Sequence, residues 1–333
     1  MQETEKQFIC SICIPTYSRA PLLRRTLESI VREQAFKDGK VEIVVSDNVS
    51  VDETMEVGQS FSRQYPDRIR YHRHDAPIDA HFNFEYALNK GSGRFLKLNN
   101  DNFAFSPGGL DRLVKDLEQY GSLGSIFLPE NHQSADEEYE VINSVDELVD
   151  KLSYWITTIN RLCLNREVYH KLEDPFRAWK IHFPHVDILF RLLNQGEKAV
   201  RLNHIETVWQ FIRHDSKERN EAENFAEFYI SLLHEQYTMG NLSRKTYQKE
   251  KCRTLFKHTI PVHFDFFHQF NTSRKPLPFW RHTKYYRKDW FFYVALVWIA
   301  FYWFISNVIP IHQMLGKIKR FLLKKKNPQS DKT

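Results

Sequence analysis

The sequence predicts an α/β fold, an open sheet with helices on its faces, continued by a helical C-terminal part. Three observations carry that reading. Residues 8–52 run strand, tight loop, helix, strand, which is a right-handed crossover unit. Apolar strand-like runs then keep alternating with helix-period runs as far as Ile212. Beyond Asn220 the period is helical only.

Taken in order, Ser11-Ile-Cys-Ile-Pro-Thr-Tyr17 is a short buried strand that breaks at its proline. Arg19 to Arg32 places Leu22, Leu23, Leu27, Ile30 and Val31 at helical spacing, and Val41 to Asp47 is a second apolar strand. Asp52 suits the cap of a helix that ends near Tyr65, before Pro66. Ile69–Arg73 is a strand alternating apolar and basic residues, and Phe82, Tyr86 and Leu88 mark a helix closed by Gly91-Ser-Gly93. Phe95–Leu98 is a strand, Leu110–Tyr120 a helix and Ser125–Leu128 a strand. Residues 129–150 are polar and acidic and read as a surface insertion leading into a helix at Val145–Leu152. Trp155–Val168 is ambiguous between strand and helix. Ile188–Leu193 is a helix closed by Gly196, and Ala199–Leu202 and Thr207–Ile212 are strands. Phe225, Phe228, Tyr229, Leu232, Leu233 and Tyr237 then form one helical stripe, and Ser243 caps a further helix to about His258.

Composition excludes several classes. The 27% charged and 42% hydrophobic residues describe a globular chain rather than a disordered one. The formal net charge of +5 belongs to the tail: residues 280–333 hold 11 of the 47 Lys/Arg and 2 of the 42 acids. The remainder is net −4, which speaks against a nucleic-acid-binding core. Cys10 and Cys13 form a CxxC inside a strand, where residues three apart face opposite sides, and no second pair follows at zinc spacing. The four thiols are therefore expected to be buried or inert. The polar start Met-Gln-Glu-Thr-Glu-Lys-Gln lacks the design of a signal peptide, so the catalytic part is expected in the cytoplasm.

Sheets of this kind bind ligands at the carboxyl ends of their strands. Those ends carry Pro15-Thr16-Tyr17 and Ser46-Asp47-Asn48, a candidate nucleotide-binding edge. Asn99-Asn-Asp-Asn102 stands where another strand stops and reads either as a plain turn or as oxygen ligands for Mg²⁺ or Mn²⁺. Asp187 at a helix start is either a cap or a general base. Arg213-His-Asp-Ser216 is either a solvated turn or a diphosphate or metal partner.

Ser11-Ile-Cys-Ile-Pro-Thr-Tyr-Ser-Arg-Ala20, followed by Glu42-Ile-Val-Val-Ser-Asp-Asn48, Asp52 and Thr54, resembles the opening of family-2 glycosyltransferases of the GT-A fold. Gly93–Asp101, Val186–Leu193 and Phe211–Ser216 resemble the family's metal-motif strand, base segment and closing motif, in the same order. The resemblance implies a GT-A, Rossmann-like mixed sheet flanked by helices over residues 1–216. It implies that Pro15, Thr16, Tyr17, Arg19, Asp47, Asn100 and Asp101 bind the nucleotide-sugar. Asp101 and His214 would hold a divalent metal (Mn²⁺ or Mg²⁺), and Asp187 would be the base. The implied activity is inverting, hexosyl-type transfer from a nucleotide-diphosphate donor to a hydroxyl. The chain departs from the family at the metal motif, where Asp101 is flanked by the neutral Asn99, Asn100 and Asn102. That departure implies weakened metal binding and supports an alternative: a weak or inactive relative that scaffolds a membrane assembly.

Residues 217–275 read as a helical extension and residues 276–333 as a membrane-associated segment. Trp290 to Ile311 is uncharged for 22 residues, with basic flanks on both sides and Asn307 and Pro310 interrupting it. Basic residues at both ends favour an in-plane or re-entrant helix against anionic lipid over a simple span. The expected location is the cytoplasmic face of the cytoplasmic membrane, with a lipid-linked or surface-polysaccharide acceptor.

Overall fold

The computed structural model describes residues 8–130, 138–205, 207–209, 223–261 and 278–308. The described residues fall into two compact units, Met1–Lys217 with Phe228–Glu250, and Glu218–Glu227 with Lys251–Thr333.

The first unit is built on β1 (Cys10–Thr16), α1 (Ala20–Val31), α2 (Gln34–Lys37) and β2 (Val41–Asp47). It continues through α3 (Thr54–Gln64), β3 (Ile69–Arg73), α4 (Ala80–Asn89), β4 (Phe95–Leu98) and β5 (Phe103–Phe105). Next come α5 (Gly109–Tyr120), β6 (Ile126–Glu130), β7 (Tyr139–Ile142), α6 (Val145–Leu152), β8 (Cys163–Asn165) and α7 (Arg166–His170). After α8 (Pro184–Asn194), β9 (Ala199–Ile205) and β10 (Thr207–Trp209), the unit resumes with α9 (Ile230–Thr238) and the start of α10 (Arg244–Thr254).

Eight strands form one mixed sheet in the order β3-β2-β1-β4-β8-β6-β9-β7. β3, β2, β1 and β4 are parallel, β8 runs against both β4 and β6, and β7 runs against β9. This is the mixed, helix-flanked sheet that the resemblance implies. Both faces of β1 and β2 are covered, which is why each reads as an unbroken apolar run rather than an alternating one. Ile12, Ile14, Ile43 and Val45 pack with Leu23, Leu27 and Ile30 of α1 and Leu113 and Leu117 of α5. Gly93 allows β4 to start beside β1, since a Cβ there would stand 2.8 Å from the Ser11 backbone nitrogen.

Pro15 does not end β1. The strand continues to Thr16, because pairing with β4 has already stopped at Cys13–Leu98 and the missing N–H falls at a free edge. Within the expected polar insertion, Tyr139–Ile142 is an edge strand; its Tyr139 ring lies 4.3 Å from that of Tyr120. An acidic edge strand carries its charge where no neighbour pairs, so composition alone reads it as a loop. The ambiguous stretch after Trp155 resolves into tight turns, then β8 and α7. Cys10, Cys13 and Cys163 are free and buried, and Cys252 is free and half-buried. A hydrogen bond to Cys163, with burial, pushes the Cys10 thiol well up. The strand expected at Thr207–Ile212 is described only to Trp209, and it pairs with β5.

In the second unit α11 (Phe279–His282) precedes α12 (Trp290–Val308). Arg281 binds Glu227 and Glu223, and a buried Lys251–Asp289 pair at 2.5 Å fastens the loop before α12. Phe291, Phe292 and Ala295 are buried, whereas Trp290, Tyr293, Val294, Val297, Trp298, Phe301 and Phe304 are exposed. Among the described residues no helix is long and apolar enough to cross a membrane. Pro310 and the basic run from Lys317 to Lys326 lie outside the described residues.

Candidate functional site

β2 lies on one side of β1 and β4 on the other, so the carboxyl end of β1 is a switch point of the sheet. Three loops meet there. The Thr16 hydroxyl donates to Asp101 Oδ2 at 2.8 Å, and Arg19 Nη1 donates to Asp101 Oδ1 at 3.1 Å. Thr26, a polar residue on the buried face of α1, donates to the Asp101 carbonyl at 2.7 Å. Thr16 is in register with Asp47 of β2 and is bonded to Asp101 in the turn that follows β4. Tyr17 stands out into solvent at 45% exposure, while Pro15 is buried.

Asp47 is fully buried and its carboxylate is saturated. Oδ1 accepts the Ser50 N–H at 2.8 Å and the Ser50 hydroxyl; Oδ2 accepts Arg73 Nη1 at 2.9 Å and the Tyr71 hydroxyl. Burial, together with this carboxylate, pushes the Tyr71 phenol strongly up. The sequence reading missed Tyr71 and Arg73 as members of the site. The signal was present in the two-residue alternation of β3, which sends positions 71 and 73 to one face.

Asp52 joins the first two loops. Its burial raises its carboxyl, but hydrogen bonds from Thr54 and from the Ala20 N–H outweigh that and hold it below the usual range. Oδ1 receives the Thr54 N–H at 3.1 Å and Oδ2 the Ala20 N–H at 3.1 Å, so one side chain accepts the first N–H of both α3 and α1. The N-cap positions themselves are Glu53 and Arg19 rather than the expected Asp52. In the same loop Val49 has φ +62°, a left-handed conformation that costs a β-branched residue of order 1–3 kcal/mol. Val49→Gly is expected to raise unfolding free energy by about 1 kcal/mol despite the added chain entropy, measured by urea denaturation.

The Asn99–Asn102 turn is held from outside. Asn160, only 2% exposed, accepts the Asn100 N–H on its Oδ1 at 2.8 Å and donates to Asn99 Oδ1 at 3.4 Å. Its carbonyl accepts the buried Lys97 ammonium at 2.5 Å. Asn99 is wholly buried and its amide nitrogen donates to the Asn100 and Phe103 carbonyls, so it turns inward as a structural residue. Asn102 is 7% exposed and its Oδ1 has no hydrogen-bond partner among the described residues.

Among the described residues no group of three or more His, Cys, Asp and Glu side chains is placed to hold a metal ion. The oxygens of the turn nevertheless suit a hard divalent cation in chemical type: the Asp101 carboxylate and, on the next residue of the chain, Asn102 Oδ1. His214 and the whole Phe211–Ser216 motif lie outside the described residues.

Asp187 is held elsewhere. α8 starts at Pro184, earlier than its apolar run suggests, which places Asp187 in the first turn and 1% exposed. Arg177 grips it with a two-pronged contact, Nε to Oδ2 at 2.9 Å and Nη2 to Oδ1 at 2.7 Å, and Arg191 stands 3.6 Å away. Arg177 lies in the irregular loop before α8 and gave no signal in the sequence. Two residues before Asp187, His185 donates Nε2–H to the Thr157 carbonyl at 2.9 Å and is 4% exposed. Burial pulls the His185 imidazole down to about 4. The unfolded chain therefore takes up a proton between pH 6.5 and about 4 that the folded protein refuses. Stability is expected to fall across that window on acidification by about 3 kcal/mol, and His185→Gln to remove that part of the slope in urea melts.

With this geometry in view, the glycosyl transferase family 2 model matches residues 11–191. The chain belongs to that family. It is 32% identical over 110 residues to the GalNAc(5)-diNAcBac-PP-undecaprenol beta-1,3-glucosyltransferase of Campylobacter jejuni, covering 33% of this chain and 34% of that protein. It is 28% identical over 171 residues to the abequosyltransferase RfbV of Salmonella typhimurium, covering 48% and 46%. The chain thus spans about a third to a half of these curated relatives. Among solved structures, S. aureus TarS superposes with a TM-score of 0.53 at 14% identity, covering 77% of this chain and 45% of that one. The mannosyltransferase PcManGT of Pyrobaculum calidifontis, solved with GDP-Man and Mn²⁺, gives 0.52 at 15%, covering 77% and 72%. At such identities the likeness is one of fold.

Proposed function

We propose that this protein transfers a hexosyl unit, with inversion, from a nucleoside-diphosphate sugar to a hydroxyl of a lipid-linked or surface-polysaccharide acceptor. The observation that carries this is the Thr16–Asp101–Arg19 cluster at the switch point, next to the buried Asp47. Thr16, Tyr17, Arg19, Asn100 and Asp101 would meet the donor, with Pro15 and Asp47 shaping its base pocket. Asp187 would take the proton from the acceptor hydroxyl as it attacks. Asp101, with Asn102, would hold a divalent cation, which when bound supplies positive charge to the departing diphosphate. The relatives' names, one of them an undecaprenol-linked glucosyltransferase, support a lipid-linked acceptor. The test is a thermal-shift screen of UDP- and GDP-sugars with and without Mn²⁺, followed by donor turnover. No shift with any donor would overturn the reading.

The lone carboxylate at the turn also supports a second reading, a weak or inactive relative that binds donor as a scaffold. Asn102→Asp discriminates between them: a gain in turnover marks a decayed site, and a loss marks a tuned one.

We also propose residues 276–333 as the membrane-facing segment, at the cytoplasmic face of the cytoplasmic membrane. The exposed aromatic stripe from Trp290 to Phe304, beside the exposed Arg281, Lys284, Arg287 and Lys288, suits a helix lying in the headgroup plane. Trp290→Ser with Trp298→Ser is expected to lower co-sedimentation with anionic vesicles at least tenfold. Unchanged binding would remove this assignment.

A further inference from the structure

We propose that Glu235 of α9 is a positioning residue for the base: it draws the Arg177 guanidinium off Asp187 and so opens that carboxylate to an acceptor hydroxyl. This rests on the reading of Asp187 as the base of a sugar transfer.

The cover over Asp187 is a side chain that itself faces water. The Asp187 side chain is 2% exposed, and both of its oxygens accept from Arg177, whose own side chain is 45% exposed. A hydroxyl that approaches from solvent therefore meets the guanidinium first. The loop that carries Arg177 is tied on both sides of it. Arg191 of α8 donates to the Glu173 and Asp174 carbonyls, and the Trp179 ring rests 5.4 Å from that of Phe82 on α4. The motion that uncovers Asp187 is thus a turn of one side chain rather than a lift of the loop.

Glu235 is where the guanidinium goes. Its Oε1 stands 3.8 Å from Arg177 Nη2, the same nitrogen that donates to Asp187 Oδ1 at 2.7 Å. One nitrogen stands between two acids, one of them buried and the other 42% exposed. In the closed arrangement Asp187 holds the double contact, and Glu235 is too far for a hydrogen bond. A roll of the guanidinium exchanges these roles, while Asp187 keeps Arg191 as a neighbouring cation at 3.6 Å. A waiting carboxylate gives the departed guanidinium a charge-assisted bond, which lowers the cost of the open arrangement and raises its population. The helical stripe after Asn220 therefore does more than extend the chain. α9 folds into the first unit and brings an acid to the base.

The test measures how fast Asp187 of the full chain is modified by a water-soluble carbodiimide with glycine ethyl ester. Labelling is read by peptide mass spectrometry at one fixed pH, with folding checked by melting. Glu235→Gln is expected to slow labelling of Asp187 at least threefold, because the open arrangement loses its partner. Glu235→Asp, which keeps the charge, is expected to fall between that variant and wild type. Asp174→Asn, which removes an acid of the loop itself, is expected to match wild type. Arg177→Gln is expected to speed labelling at least tenfold, and adding Glu235→Gln to it to change nothing further. Equal rates in wild type and Glu235→Gln would overturn the proposal. So would a slowing by Glu235→Gln that persists in the Arg177→Gln background, or a slowing by Asp174→Asn in place of Glu235→Gln. If Arg177→Gln does not fold, the comparison of wild type with Glu235→Gln decides alone. Wild-type turnover by Asp187→Asn would instead count against the base, and the labelling rates would still judge Glu235.

Discussion

Asp187→Asn is expected to lower sugar transfer by about 10²–10⁴-fold, the range lost when a positioned base is removed. The fold should survive. Arg177, whose side chain is 45% exposed, can turn to water once its partner is neutral. The converse variant behaves differently. Arg177→Gln leaves a carboxylate that is 1% exposed with Arg191 as its nearest cation at 3.6 Å, and leaving a buried acceptor short of its donors in this way costs about 1–3 kcal/mol. The expected pattern is a large loss of rate with little loss of stability for Asp187→Asn, and the reverse for Arg177→Gln. For Asp187 to reach an acceptor hydroxyl, the Arg177 fork must open, so rate per folded molecule in Arg177→Gln should be kept or raised. Turnover by Asp187→Asn equal to wild type, measured with the donor found in the thermal-shift screen, would sink its role as base.

The second large effect concerns Asp47. Its carboxylate is the common acceptor for the buried Ser50, the half-buried Tyr71 and the exposed Arg73, so Asp47→Ala removes one acceptor from two neighbouring stretches of chain. We expect a loss of about 1–3 kcal/mol in urea unfolding, the cost of leaving the Ser50 N–H and hydroxyl without their acceptor, while the exposed Arg73 turns to water. Asp47→Asn should be only slightly better, because its NH₂ would face a donor. Both variants are expected to lose the thermal shift given by nucleotide, since the loop from Ser46 to Ser50 loses the anchor that shapes it. Retained nucleotide binding in Asp47→Ala would remove Asp47 from the donor site.

The legible part of this molecule was what apolar periodicity dictates. β1, α1 and β2 were readable to within a residue or two because each buries a continuous face. That Thr16, Asp47 and Asp101 come together was also legible, because polar residues stand out where such apolar strands stop. The unread part depends on partners remote in the chain. Asp187 reads as a helix-start acid whether or not Arg177 covers it, and a guanidinium ten residues earlier in an irregular loop leaves no periodic trace. Asn99 and Asn102 look alike in the sequence. Only the packing makes the first a brace with its amide spent on two carbonyls, and leaves the oxygen of the second without a partner among the described residues. Tyr139–Ile142 was hidden for another reason, since an edge strand needs no apolar run to pair on one side.

The Asn160 bracket makes the acidic turn a shared possession of two distant stretches of chain. A transplant of residues 99–102 into another scaffold would carry the polar oxygens but not their shape, which is written sixty positions downstream.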